Sequence, residues 1–522
     1  MNARCIPDNV FDQPFETLGK MISLHAQAAP NRPALVQDGV QLTYAELDAL
    51  MDRIATSLQR DGVRPRDSIA ICASTSIAYA ALFLGGLRAG VAVAPLAPSS
   101  SPQSLAGMVQ DAKARVFFID EDVHRMLEPV RDTLSQPLIA LDGAKFDQTF
   151  NAWLAPAGNP PQPVEIQPDW PFNIIYSSGT TGTPKGIVQP HSMRWSLMSR
   201  ARAAGYDEQS VTLISTPLYS NTTLTSVFQT LSTGGTMVMM AKFNAEEWLA
   251  LAQKHRVTHT MLVPVQYQRI MARPDFGDYD LSSFKVKFST SAPFSAELKA
   301  DILKRWPGGL VEYYGMTEGG GSCVLLAHEH PDKLHTVGRP SPGHEIRLID
   351  ESGKEVAPGE TGEVVGHSPG IMVGYHNQPE KTAETEWYDE SGRRFIRTGD
   401  VGRFDADGFL ILSDRKKDII ISGGFNIYPS DIEAVLRQHP DVADTSVIGV
   451  PSQRWGETPV AYVVPKREGI DAHSLLQWAN ERLGKTQRLA TIELIETLPR
   501  SAIGKVLKRE LRDTFQTVGK TL

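Results

Sequence analysis

Short apolar runs alternate with helix-length amphipathic segments along most of this chain. Ala114–Ile119, Val211–Ile214 and residues 235–240 read as buried strands, and residues 245–255 between such runs read as a helix. This alternation predicts α/β layers. Residues 68–87 carry no charge, but small and hydroxylated residues dilute the run too far for a lipid-facing helix. A strand at 69–71 and a helix from Ile77 are expected instead. From Gly338 glycine and proline become frequent, with strand-like runs at 345–349 and 363–365 between them, which suggests a β-rich subdomain. A charged run, Asp414-Arg415-Lys416-Lys417-Asp418, then interrupts apolar sequence on both sides. Beyond it, Ser430-x-x-Glu433 reads as a capping box opening a helix with Ile432, Val435 and Leu436 on one face. Strand-like runs at 445–450 and 460–464 follow. The expected organisation is a large α/β domain over residues 1–414, including the β-rich part, and a small α+β domain over 415–522.

The composition narrows the function classes. A chain of 522 residues is too long for one ordinary core. A formal net charge of −8 argues against a nucleic-acid partner. The cysteines Cys5, Cys72 and Cys323 are far apart, show no metal or redox spacing, and are odd in number, which suits a reducing, cytoplasmic setting. No apolar signal segment opens the chain, and no integral membrane association is expected. His328, His330 and His335 lie close together, but their spacing fits no standard zinc site.

Candidate chemistry is concentrated at residues 177–186, Ser-Ser-Gly-Thr-Thr-Gly-Thr-Pro-Lys-Gly, directly after the apolar run Ile174-Ile175-Tyr176. Glycine lets backbone N–H groups turn toward a common centre, hydroxyls add donors and Lys185 adds charge, so the loop can cradle a polyphosphate. It is not a Walker A loop, because no Gly-Lys-Ser/Thr ending opens a helix. A Gly/Ser linker would lie between domains, not between apolar runs.

The loop resembles the phosphate-binding motif of the adenylate-forming superfamily, which holds acyl-CoA synthetases, luciferases and nonribosomal peptide synthetase adenylation domains. Four further matches fall in the family's order: Tyr313-Tyr314-Gly315-Met316-Thr317-Glu318; Arg397-Thr398-Gly399-Asp400; Asp414 to Asp418 running into Gly423-Gly424; and Pro499-Arg500-Ser501-Ala502-Ile503-Gly504-Lys505. The resemblance covers essentially the whole chain and points to its acyl-CoA synthetase branch.

That resemblance implies two half-reactions. A carboxylic acid and ATP form an acyl-adenylate and pyrophosphate; a thiol, usually that of coenzyme A, then displaces AMP. Ser177, Ser178, Gly179, Thr180, Thr181, Gly182 and Lys185 would hold ATP phosphates. Thr317 would bond the α-phosphate and Glu318 would ligate Mg²⁺, a hard cation suited to carboxylate and phosphate oxygens. Ser291-Ala292-Pro293 and Glu312-Tyr313-Tyr314-Gly315 would flank adenine, with Asp400 and Arg415 at the ribose. Lys505 would be the catalytic cation, because carboxylate attack on ATP joins two anions. The small domain would swing about Lys417, exchanging Lys505 for a coenzyme A loop at Ser422-Gly423-Gly424.

Two departures stand out. Many relatives carry histidine where this chain has Ser220, and the usual Tyr-Lys-x-Pro before the last motif is replaced by residues 484–488. The segments expected to line the acid pocket are Tyr219, Ser220, Asn221, Thr222, Tyr267, Met316, Gly319 and Gly320, with no lysine or arginine among them. An apolar monocarboxylic acid (aromatic, alicyclic or medium-chain) is therefore expected, since a second carboxylate would lack a partner. No acidic residue lies between Ser215 and Gly235 to bind an α-amino group. The alternative is a stand-alone adenylation enzyme that loads an acyl or aminoacyl group onto a carrier protein. A homodimer stays open.

Overall fold

The computed structural model describes residues 8–177, 184–422, 425–452, 455–467, 469–484, 486–501 and 504–517. It divides into two units: Met1–Leu334 with Ser341–Glu345 and His367–Ile396, and His335–Pro340 with Ile346–Gly366 and Arg397–Leu522. By this division residues 397–414 group with the C-terminal residues.

The first unit is built on two sheets, each parallel through its middle. Within this unit one sheet runs in the order Cys323–Leu326, Gly309–Tyr314, Val286–Ser289, His259–Leu262, Val211–Ile214, Thr236–Met239, Pro33–Gln37 and Val40–Thr43, and of these pairs the first and the last are antiparallel. In the other the order is Gly374–Tyr375, Lys185–Pro190, Pro171–Ser177, Ala92–Pro95, Ser68–Cys72, Ala114–Ile119, Leu138–Ala140 and Gln148–Thr149. Here Lys185–Pro190 is antiparallel to both neighbours, so a hairpin and an edge strand end an otherwise parallel sheet.

Helices Leu18–Ala28, Tyr44–Arg60, Ile77–Arg88 and Asn221–Ser232 bury a shared core against these sheets. Tyr44–Arg60 shows how the sequence builds one of them. Leu47, Met51, Ile54 and Leu58 recur at helical spacing and are fully buried, while Thr43 and Glu46 form a reciprocal capping box at the start. Gly85 lets the neighbouring helix approach closely, for a Cβ there would lie 2.6 Å from the Ile54 side chain.

The second unit contains strands Glu345–Ile349, Gly362–His367 and Leu410–Arg415 around the C-terminal part of Arg394–Phe404. Its other sheet orders Phe425–Ile427, Ile420–Ser422, Gly456–Pro465 and Val442–Ser452, with Thr491–Leu494 running parallel to Gly456–Pro465. Pro429–Arg437 and Ala472–Arg482 pack through Ile432, Leu436, Leu475 and Ala479, and Lys508–Thr517 packs through Leu511 and Phe515 in a separate cluster. The α+β expectation for this region holds.

The capping box at Ser430 does not form. The helix begins one residue earlier, at Pro429, and the Ser430 N–H donates to Asp414 Oδ2 at 2.8 Å. Glu433 instead accepts from the Val447 N–H and from Lys508 Nζ. Asp414, distant in sequence, takes the capping role, and burial raises its carboxyl pKa to about 6.

Candidate active site

Each unit gathers a distinct set of the expected residues. In the first, the phosphate-loop hairpin pairs Ser177 with Lys185 and Tyr176 with Gly186. Ser178, Gly179, Thr180, Thr181 and Gly182 lie outside the described residues, as do Gly423 and Gly424. Lys185 Nζ sits 4.8 Å from the ring centre of Tyr375. The Tyr375 hydroxyl donates to Glu318 Oε1 at 2.9 Å. Burial first, then the Glu318 charge, holds that phenol well above its ordinary pKa, so it remains a donor. Lys185 and Glu318 therefore meet through one ring. No motif pointed to Tyr375; only its edge strand, paired with Lys185–Pro190, brings it there.

The segment around Glu318 is clamped by backbone contacts. Met372 N–H donates to the Glu318 carbonyl at 2.8 Å, and Gly320 N–H to the Gly370 carbonyl at 3.2 Å. A Cβ on Gly319 would lie 1.9 Å from that Gly370 oxygen, and φ at Gly319 is +78°. Gly319 is thus required by the close approach of two backbone segments. Gly320, at φ +80°, also adopts a glycine conformation.

Glu318 Oε2 has no partner among the described residues, which also hold no cluster of three metal-ligating side chains. A single carboxylate oxygen left open fits Mg²⁺, which takes few protein ligands and completes its shell with phosphate and water.

Ser291 has φ +80° and its hydroxyl hydrogen-bonds Thr222, so the segment expected at adenine touches the segment expected at the acid. Tyr313 stacks on Phe288, with ring centres 5.9 Å apart. Glu312, expected beside adenine, is buried and ion-paired with Lys299, and burial raises its pKa to about 7. Its carboxylate serves the core. Tyr267, expected in the acid pocket, is also a core residue: it is fully buried, stacks on Phe294 and donates to the Phe288 carbonyl at 2.8 Å.

Tyr219 is partly exposed, and Ser220 precedes the helix carrying Asn221 and Thr222. No lysine or arginine lies among these segments, but one contacts them from outside. Arg194, only 2% exposed, donates to Asn221 Oδ1 at 2.8 Å. It sits in a different segment from the pocket motifs, which is why sequence reading passed over it.

In the second unit, Asp400 and Arg415 face each other on antiparallel strands, with Arg415 Nε 3.1 Å from Asp400 Oδ1. Lys417 follows in the short turn Lys416–Asp418, and burial lowers its pKa. Lys505 is held in a tight turn, where Ser501 N–H donates to the Lys505 carbonyl at 2.8 Å and Arg500 Nη1 to the Gly504 carbonyl at 2.6 Å. Burial first, then repulsion from Arg415 and Lys417, lowers the Lys505 pKa to about 8, with Asp400 and Asp418 partly opposing. Lys505 makes no ion pair among the described residues. The structure thus brings Lys505 to the Asp400–Arg415 pair as an ammonium short of an anion. Ser422 ends a strand in the same unit and pairs with Gly456.

No helix among the described residues is long and apolar enough to cross a membrane. The family model "AMP-binding enzyme" matches residues 22–376, and "AMP-binding enzyme C-terminal domain" matches residues 431–505. A feruloyl-CoA synthase from an Amycolatopsis species is 34% identical, over 95% of this chain and 99% of the relative. A fatty acid–[acyl-carrier-protein] ligase from Streptomyces coeruleorubidus is 32% identical, over 97% of this chain and 98% of the relative. The crystal structure of ATP-bound MatB from Rhodopseudomonas palustris superposes with a TM-score of 0.86 at 27% identity, covering 97% of this chain and 100% of that one. With two family models matching in order and relatives aligned end to end, the chain belongs to the AMP-binding enzyme family and is an AMP-forming acid–thiol ligase.

Proposed function

We propose that this protein converts an apolar monocarboxylic acid to its adenylate with ATP, releasing pyrophosphate, and then to its coenzyme A thioester, releasing AMP. The observation that carries this reading is Lys505, a lysine with a pKa lowered to about 8 and no ion-pair partner among the described residues, beside the Asp400–Arg415 pair. Such a cation suits the joining of a carboxylate to a polyphosphate, where anionic repulsion dominates the barrier.

In this mechanism Asp400 accepts from the ribose hydroxyls and Arg415 orients it. Tyr313 or Tyr314 stacks on adenine. Lys185 and the hydroxyl-rich loop hold the β and γ phosphates, and Thr317 the α-phosphate. Glu318, oriented by Tyr375, supplies the carboxylate oxygen for Mg²⁺, which when bound neutralises phosphate charge. Lys505 stabilises charge as the acid attacks. The C-terminal domain, taken from residue 415, then turns about Lys417, and the Ser422–Gly424 loop admits the pantetheine arm. Tyr219, Ser220, Thr222 and Met316 form the acid wall.

Support for an aromatic acid comes from relatives named for feruloyl and indoleacetate. A carrier-protein thiol is kept as the second reading because one similar ligase is named for an acyl-carrier protein. A pyrophosphate-release screen over a panel of acids, with and without coenzyme A, tests both. Pyrophosphate with acyl-CoA supports the first; adenylate that coenzyme A does not consume supports the second.

A further inference from the structure

Behind the acid wall lies a polar cluster that no motif predicts. Asn173 and Gln189 face each other across the phosphate-loop hairpin, both fully buried, and Asn173 Nδ2 donates to Gln189 Oε1 at 2.8 Å. Arg194, on the helix that follows, donates to Asn173 Oδ1 at 3.0 Å, to Gln189 Oε1, and to Asn221 Oδ1 at 2.8 Å. Its guanidinium lies 5.8 Å and 5.2 Å from the ring centres of Phe172 and Phe228. No carboxylate pairs with it among the described residues. Burying a guanidinium on amide oxygens alone is costly, and an apolar side chain would fill the same place without that cost.

The geometry shows what the charge does. Arginine only donates, so each amide it touches must turn its oxygen toward the guanidinium. Asn173 then donates its NH₂ within the cluster, to Gln189, while Gln189 and Asn221 aim theirs away from the guanidinium. For Gln189 the outward NH₂ donates to the Thr317 carbonyl at 2.6 Å. For Asn221 the NH₂ makes no hydrogen bond among the described residues, and the residue is partly exposed between Ser220 and Thr222.

We propose that Arg194 is a positioning residue for adenylation: it orients Gln189, which holds the Thr317 backbone in place, and Asn221, which presents its NH₂ to an oxygen of the bound acid. One buried cation thus ties the phosphate-side wall to the acid-side wall. This rests on the reading that Thr317 serves the phosphate and residues 219–222 the acid.

The test uses the full chain with Arg194→Met and Arg194→Lys, with rates expressed per folded molecule. Arg194→Met leaves buried amide oxygens without their donor, so a lowered melting point is expected whatever the role, and rates are compared at a temperature where the variant is folded. Its kcat for pyrophosphate release should fall about 10- to 100-fold, as for reacting groups displaced by about 1 Å. KM for ATP should change less than about threefold. Arg194→Lys should recover only part of the rate, since one ammonium cannot span three amide oxygens. A purely structural role would lower the melting point and leave the rate per folded molecule unchanged, and that result overturns the proposal. So does wild-type kcat in folded Arg194→Met. If neither variant folds, Gln189→Met decides: it removes the donor to Thr317 while Asn173 and Asn221 still hold the guanidinium, and wild-type kcat there overturns the proposal. A wild type that releases pyrophosphate with no acid in the panel overturns the underlying reading and this inference with it; an active wild type matched by an equally active Arg194→Met overturns the inference alone.

Discussion

The Tyr375 hydroxyl lies 2.9 Å from Glu318 Oε1, and Lys185 Nζ lies 4.8 Å from the centre of the same ring. The ring holds the carboxylate from one side and meets the Lys185 ammonium on its face. Tyr375→Phe keeps that cation–π contact and deletes only the donor. A hydrogen bond to a charged acceptor contributes about 1.5 kcal/mol or more, so kcat/KM for pyrophosphate release should fall roughly tenfold. The half-saturating Mg²⁺ concentration should also shift. A Mg²⁺ titration that superposes on wild type would remove Tyr375 from the site.

Lys505→Ala should abolish adenylate formation while sparing thioester formation from a supplied acyl-adenylate, because only the first half-reaction joins two anions. The pH dependence follows from the pKa of about 8. The ammonium is the active form, so kcat/KM for pyrophosphate release should be highest below that value and decline as pH rises through it. Lys505→Arg keeps the charge at every accessible pH, and whatever activity it retains should lack that decline. An alkaline limb unchanged in Lys505→Arg assigns the titration to another group.

Lys417→Pro locks φ at the proposed pivot. Lys417 sits in the short turn joining Arg415 to the C-terminal sheet, where a change of one backbone angle redirects everything downstream. The coenzyme A step should suffer more than the first step. Single-turnover measurements of the two half-reactions check this, and equal damage to both counts against Lys417 as the pivot.

The acid wall is best probed at Thr222. Gly319 and Gly320 have φ of +78° and +80°, so a side chain at either would strain the backbone whatever the pocket holds. Thr222 lies on a helix and hydrogen-bonds Ser291. Thr222→Leu should lose ring-bearing and longer acids first and retain some activity on the shortest acid accepted. Affinity among wild-type substrates should grow by about 25 cal/mol per Å² of apolar surface buried. Malonate should be a poor substrate: Arg194, a buried cation bonded to Asn221, already serves three amide oxygens, and a second carboxylate would be buried without a partner. Efficient turnover of malonate over its apolar counterpart refutes an uncharged pocket.

The sequence by itself determined the family, the order of its motifs and the class of chemistry. Those signals are local. The alternation of apolar runs gives strands and helices by their own periods, as at Ala114–Ile119 and Ala245–Lys254. A phosphate cradle needs glycine, hydroxyls and lysine close together in the chain, so residues 177–186 can be read as a candidate from sequence alone. Only the tertiary structure decided which side chains meet. Tyr375 reaches Glu318 across 57 positions, and Arg194 reaches Asn221 across 27. Asp414 caps the helix that Ser430 and Glu433 were expected to cap, because the chain returns there and supplies a carboxylate to an unpaired N–H. Glu312 and Tyr267 carry the right residue types beside the right motifs, yet packing turns them into the core, where Lys299 and the Phe288 carbonyl satisfy them. A motif records which residue types lie close along the chain; whether a polar side chain faces a substrate depends on which distant partner satisfies it first, and folding alone sets that choice.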